Sequence, residues 1–182
     1  MSRQAKVLNV CVIGDGAVGK SSVVYRLMGH VPKQRHDPTI EDSYVKQEVI
    51  NGEVVNIRYM DTSGQDEYWP LVDVSLQAAD VVLVVCDVER DNTIGKAESR
   101  VRKVANMFEE NWPLMVLVAN KSDKEPAADA QTRLSDIARD LDIPIVWTSA
   151  ATGDGINDLK ERICSATPST LAENSRRCCI LL

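Results

Sequence analysis

The fold of this chain is decided by the stretch Gly14-Asp15-Gly16-Ala17-Val18-Gly19-Lys20-Ser21. It matches the pattern G-x-x-x-x-G-K-[ST], in which glycines allow tight turning, so that successive backbone N–H groups face a phosphate group. An apolar run at residues 7–13 precedes the stretch, and a helix-like segment at residues 21–28 follows it. The positive end of such a helix also favours an anion. The order strand, loop, helix therefore predicts a phosphate-binding loop.

Apolar runs and helix-like segments alternate along the rest of the chain. The runs lie at residues 7–13, 54–60, 81–86, 114–119 and 143–147, and helices are predicted at residues 21–28, 92–110, 127–142 and 156–166. Continuous apolar character is typical of strands in a parallel sheet that helices cover on both faces. The pair Asn51-Gly52 predicts a tight hairpin, which adds an antiparallel strand at residues 41–50 on the sheet edge. The expected fold is α/β, a P-loop NTPase with a mostly parallel six-stranded sheet, one antiparallel edge strand and helices on both faces.

Composition limits the domain count and the partners. A length of 182 residues fits one domain, predicted at residues 1–166, and the polar segment at residues 167–182 is predicted to be a flexible tail. With 27 acidic and 21 basic residues, the formal net charge of -6 argues against a nucleic-acid partner. The five cysteines lack paired metal-ligand spacing and are interpreted as cytosolic thiols. Nothing in the sequence requires more than a monomer.

The side chains of the phosphate loop suit a nucleotide with Mg²⁺. Lys20 adds a positive charge near the β- and γ-phosphates, and the Ser21 hydroxyl is the expected Mg²⁺ ligand, because Mg²⁺ favours hard oxygen donors. Ser22 is placed near the α-phosphate. The predicted backbone contacts come from Gly16, Ala17, Val18 and Gly19. These features alone fit ATPases, kinases and GTPases equally.

Two later motifs predict that the base is guanine. The first, Asn120-Lys121-Ser122-Asp123, follows a buried run and so lies at the carboxyl end of a strand, where open α/β sheets bind ligands. The Asp123 carboxylate can accept both guanine N1–H and the exocyclic N2–H₂, a donor pattern that adenine lacks. The second, Thr148-Ser149-Ala150, offers the Ala150 N–H to guanine O6. The predicted contacts on this side are Asn120, Lys121, Asp123, Ser149 and Ala150, with the neighbouring Ala151 added by the family resemblance described below, and the predicted ligands are GTP and GDP.

With these motifs in this order, residues 5–166 resemble the Ras family of small GTPases, and within it most closely the Ras subfamily. The first switch and effector segment of that subfamily is similar to Asp37, Pro38, Thr39, Ile40, Glu41, Asp42, Ser43 and Tyr44. The second switch is similar to Asp61-Thr62-Ser63-Gly64-Gln65-Asp66-Glu67-Tyr68.

The resemblance implies a role for each switch residue. Thr39 would ligate Mg²⁺ in the GTP state, and Asp61 would hold Mg²⁺ through water. Gln65 would orient the attacking water and the Gly64 N–H would sense the γ-phosphate, with Lys20 stabilising the developing charge. An effector, an exchange factor and a GTPase-activating protein are the implied partners. No arginine finger is evident in the switches, where Arg35 is the nearest candidate, so slow intrinsic hydrolysis is expected.

Departures from the family pattern keep a second interpretation open. Pro32 stands where an aromatic residue stacks on guanine, and Ala151 where a lysine stem flanks the base. Both departures predict fast nucleotide exchange. The alternatives to a hydrolysing switch are a guanine-nucleotide-binding scaffold with negligible hydrolysis and, less well supported, a small-molecule kinase. His36 replaces a tyrosine that closes over the phosphates, and Ala17 replaces a third glycine of the loop.

The chain ends in a lipidation pattern. Cys179-Ile180-Leu181-Leu182 fits C-a-a-X, and the terminal leucine favours a geranylgeranyl group on Cys179. One lipid is a marginal anchor, so Cys178 is a candidate for palmitoylation as a second signal. The sequence therefore predicts attachment to the cytoplasmic face of a membrane.

Overall fold

The protein forms a six-stranded sheet in the strand order β2-β3-β1-β4-β5-β6. The computed structural model describes residues 6–32, 39–108 and 112–166. The strands are β1 (Lys6–Gly14), β2 (Glu41–Ile50), β3 (Glu53–Thr62), β4 (Val81–Asp87), β5 (Leu114–Asn120) and β6 (Ile145–Thr148). The helices are α1 (Lys20–Leu27), α2 (Trp69–Gln77), α3 (Asp91–Met107), α4 (Ala130–Asp140) and α5 (Ile156–Ser165). All pairings are parallel except that of β2 with β3, which confirms the predicted P-loop fold class.

Two hydrophobic cores lie on opposite faces of the sheet. One is built from α1 and α5 against alternate residues of the central strands, such as Val10 and Val12. The other is built from α2, α3 and α4 against the residues between them, such as Cys11 and Ile13. Every residue of β4 is buried, because both of its faces are covered. This double burial explains why the strands read as continuous apolar runs rather than as alternating ones.

The edge hairpin forms as predicted. Asn51 and Gly52 have φ angles of 52° and 77°, the two positive values that a tight turn of this kind requires. The register pairs Val49 with Val54 and Glu41 with Thr62. The hairpin therefore carries β2 to the outer edge of the sheet, beside the carboxyl ends of the central strands.

The helix α2 was not predicted from the sequence. Its nine residues include Val72 and Val74, which have low helix propensity, and it has no glycine or charged cap to mark its ends. Pro70 in the first turn is the one local signal, because a proline there loses no intrahelical hydrogen bond. Tertiary contacts form the helix instead, since Val72 and Leu76 are buried in the core.

The other elements differ from prediction only at their ends. The sixth strand begins at Ile145 rather than at residue 143, because Pro144 has no N–H to donate to the sheet; its carbonyl accepts a hydrogen bond from the N–H of Leu117 at 2.9 Å. The fourth helix begins at Ala130 rather than at residue 127, after Asp129 with a φ of 61°. Within the described ranges, no helix is long and apolar enough to cross a membrane.

Candidate nucleotide-binding site

A cavity of about 480 Å³ opens at the carboxyl ends of the parallel strands. This is the place where open α/β sheets bind ligands, beside the first strand and the helix that follows it. Most of the residues predicted for the phosphates and for Mg²⁺ meet here. The cavity is lined by Gly16, Ala17, Gly19, Lys20, Ser21, Ser22, Thr39, Thr62, Ser63, Gly64, Gln65 and Lys121.

The backbone of the phosphate loop is held in a conformation that its glycines make possible. Gly19, the residue before α1, has a φ of 97°, and a Cβ there would lie 2.4 Å from the side-chain nitrogen of Asn120. A Cβ on Gly14 would lie 2.3 Å from the carbonyl oxygen of Val85. Ala17 also has a positive φ, 59°, and thus adopts a left-handed conformation that costs a non-glycine residue about 1–2 kcal/mol. Glycine would adopt the same conformation at this position with less strain.

Lys20 points its ammonium group into the loop that precedes it. Its Nζ donates to the carbonyl oxygens of Gly14 at 3.2 Å and of Asp15 at 2.9 Å, and the residue is buried. Burial lowers the pKa of Lys20 to about 8, although the nearby Asp61 carboxylate acts in the opposite direction. A phosphate group in the cavity would add negative charge beside this ammonium and favour its protonated form.

The predicted Mg²⁺ ligands are all oxygen donors, and two of them lie side by side. The Ser21 and Thr39 hydroxyl oxygens lie 3.2 Å apart, which joins the first switch to the phosphate loop. Two adjacent ligands of an octahedral ion with bond lengths near 2.1 Å lie about 3 Å apart, so the spacing suits Mg²⁺. Asp61 at the end of β3 is fully buried and lies within electrostatic reach of Lys20. The chemistry and the spacing of these donors fit the predicted ion.

The second switch lies directly on the phosphate loop. A Cβ on Gly64 would come within 2.5 Å of the Gly16 nitrogen, so only glycine allows this approach. Gln65 is exposed at the mouth of the cavity, and its N–H donates to the Ser63 hydroxyl at 3.2 Å. The glycine and glutamine of the second switch are thus next to the phosphate loop, where their predicted roles require them.

The residues predicted to read the base form a hydrogen-bonded group. The Asp123 carboxylate accepts a hydrogen bond from the Ser149 hydroxyl at 2.6 Å, and Ser149 is fully buried. This bond orients an otherwise exposed carboxylate. The Asn120 amide donates to the Val18 carbonyl at 2.9 Å, which ties the base-reading loop to the phosphate loop. Its oxygen accepts from Thr148 and from the Ala150 N–H, both at 3.2 Å, so the N–H predicted for guanine O6 points to Asn120 here.

Arg26 of α1 supports the second base-reading loop, a role that the sequence did not suggest. Its Nε donates to the carbonyl of Ala150 at 2.7 Å and its Nη2 to that of Ala151 at 2.5 Å. These partners lie more than 120 residues away along the chain, so no local sequence pattern predicts the contact. Arg26 thus holds the backbone of this loop at two adjacent carbonyls.

Asp87 is a second residue that sequence reasoning missed. It ends β4, is buried, and accepts hydrogen bonds from Lys121 Nζ at 2.6 Å and Arg90 Nε at 2.9 Å. Burial alone would raise the pKa of this carboxyl, but the hydrogen bonds from Lys121, from the Glu89 N–H and from Arg90 outweigh it and the pKa is lowered. Arg90 in turn donates to the Gly16 carbonyl at 2.9 Å. A carboxylate at the end of a buried strand was the available signal.

The structure describes some of the residues predicted for effector binding and none of those predicted for lipidation. Thr39 lines the cavity and Ile40 is exposed, while Glu41, Asp42, Ser43 and Tyr44 begin the edge strand β2. Glu41 accepts a hydrogen bond from the Ser75 hydroxyl at 2.7 Å, which ties the start of β2 to α2. Outside the described residues lie Arg35, His36, Asp37, Pro38, Cys178 and Cys179.

Comparison with protein-family models agrees with this geometry. The model of the Ras family matches residues 9–168, which is most of the chain. The matched region contains the phosphate loop, both switch segments and both base-reading loops described above. The chain belongs to the Ras family and is a small GTPase, which binds GTP and GDP.

Proposed function

We propose that this protein is a signalling switch of the Ras subfamily, which cycles between a GDP-bound and a GTP-bound state and hydrolyses GTP slowly on its own. The observation that carries the proposal is the meeting of both switch segments at the phosphate loop. The hydroxyl oxygens of Thr39 and Ser21 lie 3.2 Å apart, and Gly64 packs on the backbone of Gly16. A γ-phosphate between these segments would order both, and its loss would release them.

Hydrolysis requires positioning more than covalent chemistry. Water attacks the γ-phosphorus, the bond from that phosphorus to the β–γ bridging oxygen breaks, and GDP leaves. Gln65 orients the water from the mouth of the cavity, and Lys20 balances the charge that develops on the phosphate oxygens. Ser21, Thr39 and, through water, Asp61 would hold Mg²⁺, which when bound neutralises phosphate charge. An arginine supplied by an activating protein would accelerate the reaction.

Single-turnover hydrolysis of γ-labelled GTP tests this proposal. We expect slow phosphate release by the wild type, with a rate constant below about 10⁻² s⁻¹, and a loss of at least tenfold in Gln65→Leu. Gln77→Leu, which alters a glutamine at the end of α2 outside the cavity, is the matched control and keeps the wild-type rate. Tight GTP binding without phosphate release in the wild type would favour the scaffold interpretation instead.

Fast nucleotide exchange is the second part of the proposal. Pro32 and Ala151 replace the groups that would stack on and flank guanine, and a stacked aromatic contributes about 1–3 kcal/mol in nucleic-acid complexes. Pro32→Phe is therefore expected to slow the release of mantGDP, a fluorescent GDP analogue, by about tenfold. An unchanged half-time for release would remove Pro32 as the cause.

We also propose that a geranylgeranyl group on Cys179 and a palmitoyl group on Cys178 hold the protein on the cytoplasmic face of a membrane. The support is the terminal sequence and the marginal affinity of a single lipid. Fractionation of cells that express the variants tests each lipid separately. Cys179→Ser should be fully soluble and Cys178→Ser should distribute between both fractions, whereas Cys179→Ser that stays on membranes would contradict the anchor.

Effector recognition is proposed for the exposed start of β2. This strand forms the sheet edge, so its outer backbone groups face no further strand of the described sheet. A partner could add a strand there and read the side chains of residues 40–44. The Glu41 carboxylate accepts a hydrogen bond from Ser75 of α2, the helix that directly follows the second switch. A change in the position of the second switch would therefore reach this edge through α2.

A further inference from the structure

A second cavity, of about 260 Å³, lies between the second switch and α3, and we call it the α3 cavity. It shares no lining residue with the nucleotide cavity. Its walls are strongly basic, with three cationic side chains and one carboxylate. The lining residues are Asp66, Trp69, Lys96, Ser99, Arg100 and Lys103.

Arg100 is the most deeply buried cation that lines the α3 cavity. Only 6% of the residue is exposed, and its Nη2 donates to the Gly64 carbonyl at 3.3 Å and to the Asp66 carboxylate at 3.1 Å. Its Nη1 is also buried and has no hydrogen-bond partner within the described part of the chain. A buried guanidinium N–H without an acceptor is unfavourable. Arg100 lines the cavity and keeps one guanidinium nitrogen without an acceptor, so an anionic oxygen that reached Nη1 would satisfy it.

The other cations of the α3 cavity are accessible. Lys103 lies over the Trp69 ring, with its Nζ 3.9 Å from the ring centroid, and forms no ion pair with any described residue. Lys96 contacts Asp15 of the phosphate loop at 2.9 Å, with a side chain that is 47% exposed. The Asp66 side chain is 79% exposed, so it can leave Arg100 at little cost. An incoming anion would find two lysines and a guanidinium on one side of the cavity.

We propose that the α3 cavity binds a phosphoryl group, either as inorganic phosphate or as a phosphate monoester. A phosphoryl dianion offers several oxygens to a guanidinium fork and to two ammonium groups, whereas a carboxylate offers one charge and two oxygens. A volume of about 260 Å³ accommodates such a group. Because Arg100 also holds Gly64 and Asp66, the bound anion competes with Asp66 and changes the position of the second switch.

Titration of the loaded protein tests the site. Protein carrying Mg²⁺ and a non-hydrolysable GTP analogue, so that the nucleotide cavity is filled, is titrated with inorganic phosphate at constant ionic strength. We expect saturable NMR shifts of the Trp69 indole N–H and of the Gly64 and Asp66 amides, with a Kd of about 1 mM or below. Trp69→Phe assigns the indole signal.

Variants on one helix separate a built site from general electrostatics. Lys103→Gln should weaken phosphate binding at least about fivefold. Arg102→Gln removes the same charge from the neighbouring position, where the side chain pairs with Glu98 outside the cavity, and should leave binding unchanged. Arg100→Gln should abolish binding; if that variant unfolds, Lys96→Gln replaces it, with an expected loss of about fivefold.

The absence of saturable shifts up to about 20 mM phosphate, or an equal loss in Lys103→Gln and Arg102→Gln, would overturn the proposal. A phosphoserine peptide, with its unphosphorylated form as control, identifies the source. Tighter binding of the phosphopeptide than of inorganic phosphate supports the site and assigns it to a phosphorylated partner segment, and equal binding supports the site and assigns it to the free anion. These readouts need only nucleotide binding, so they stand even if hydrolysis proves negligible.

Discussion

The phosphate half and the base half of the nucleotide site are built on different principles. At the predicted phosphate position, the structure provides a loop with positive φ angles at Ala17 and Gly19 and the buried ammonium of Lys20, which two loop carbonyls hold. Around the predicted base position, the group expected to recognise guanine is one exposed carboxylate, Asp123, which Ser149 orients. The base-reading loop is held from outside by Arg26. The difference suggests that the phosphate half sets affinity, whereas the base half sets selectivity and the rate of exchange.

Removing the Lys20 charge should break the phosphate half and give the largest effect. In Lys20→Met, the affinity for GDP is expected to fall at least about a hundredfold, because charge-assisted hydrogen bonds to the phosphates are lost. Equilibrium titration with mantGDP measures the loss. Lys160→Met, on α5 and paired with Glu48, is the control and should change affinity less than about twofold. A comparable loss in both variants would contradict the assignment of Lys20.

Asp123→Ala should break the base half while leaving the phosphate half intact. We expect GDP affinity to fall by up to about a hundredfold, because a charged acceptor of two hydrogen bonds is lost, and the preference for GTP over ATP to disappear. Ser149→Ala, which removes the bond to Asp123 and the acceptor of the Thr152 N–H, should cost about fivefold. Binding of inorganic tripolyphosphate, which has no base, should stay at the wild-type value in both variants. A fall in tripolyphosphate binding would show that the two halves are not independent.

The pH dependence of nucleotide affinity should come from the phosphate half. Burial lowers the pKa of Lys20 to about 8 in the nucleotide-free protein. Phosphates favour the charged form, so the pKa rises on binding and the complex takes up a proton above pH 8. Affinity therefore falls as the pH rises, by about tenfold between pH 7 and pH 9. The dependence should vanish in Lys20→Met, and its persistence there would assign it to another group, such as the base itself.

How far the sequence predicted the two halves follows the same division. The phosphate loop is a contiguous motif whose geometry depends on local φ angles, so Gly14, Gly19 and Lys20 could be placed from the sequence alone. The strands and the hairpin were equally accessible, because burial on both faces and the pair Asn51-Gly52 leave local patterns.

Contacts between distant segments left no such pattern. Arg26 meets Ala150, Asp87 meets Lys121 and Arg100 meets Gly64, and in each case only the folded sheet brings the partners together. The same reason explains why helix α2 was missed. Its own sequence does not favour a helix, and the burial of Val72 and Leu76 in the core stabilises it. Sequence reasoning therefore identified candidates for contact with the nucleotide, but it missed the side chains that hold these candidates in place.

Loosening the support of the base loop should raise exchange without affecting chemistry. Arg26→Gln loses the two hydrogen bonds to the carbonyls of Ala150 and Ala151, so mantGDP release is expected to become about fivefold faster. Single-turnover hydrolysis should stay within about twofold of wild type, because the proposed catalytic groups Gln65 and Lys20 lie in the phosphate half. Arg26→Lys, which can keep one bond, should give an intermediate release rate. A slower hydrolysis in step with faster release would argue that Arg26 acts on both halves.

Ala17→Gly tests whether the backbone governs the phosphate half, and its effect should be the smallest. The left-handed conformation at Ala17 costs about 1–2 kcal/mol, and glycine relieves it while adding about 0.5–1 kcal/mol of entropy to the unfolded chain. The free energy of unfolding should therefore rise by about 0.5–1 kcal/mol in chemical denaturation. Ala105→Gly in α3, where the backbone is helical, should lower it by about 1 kcal/mol. Opposite signs at the two alanines would mean that the loop holds its shape against the preference of its own residue, as expected if the fold rather than the side chain sets the phosphate site.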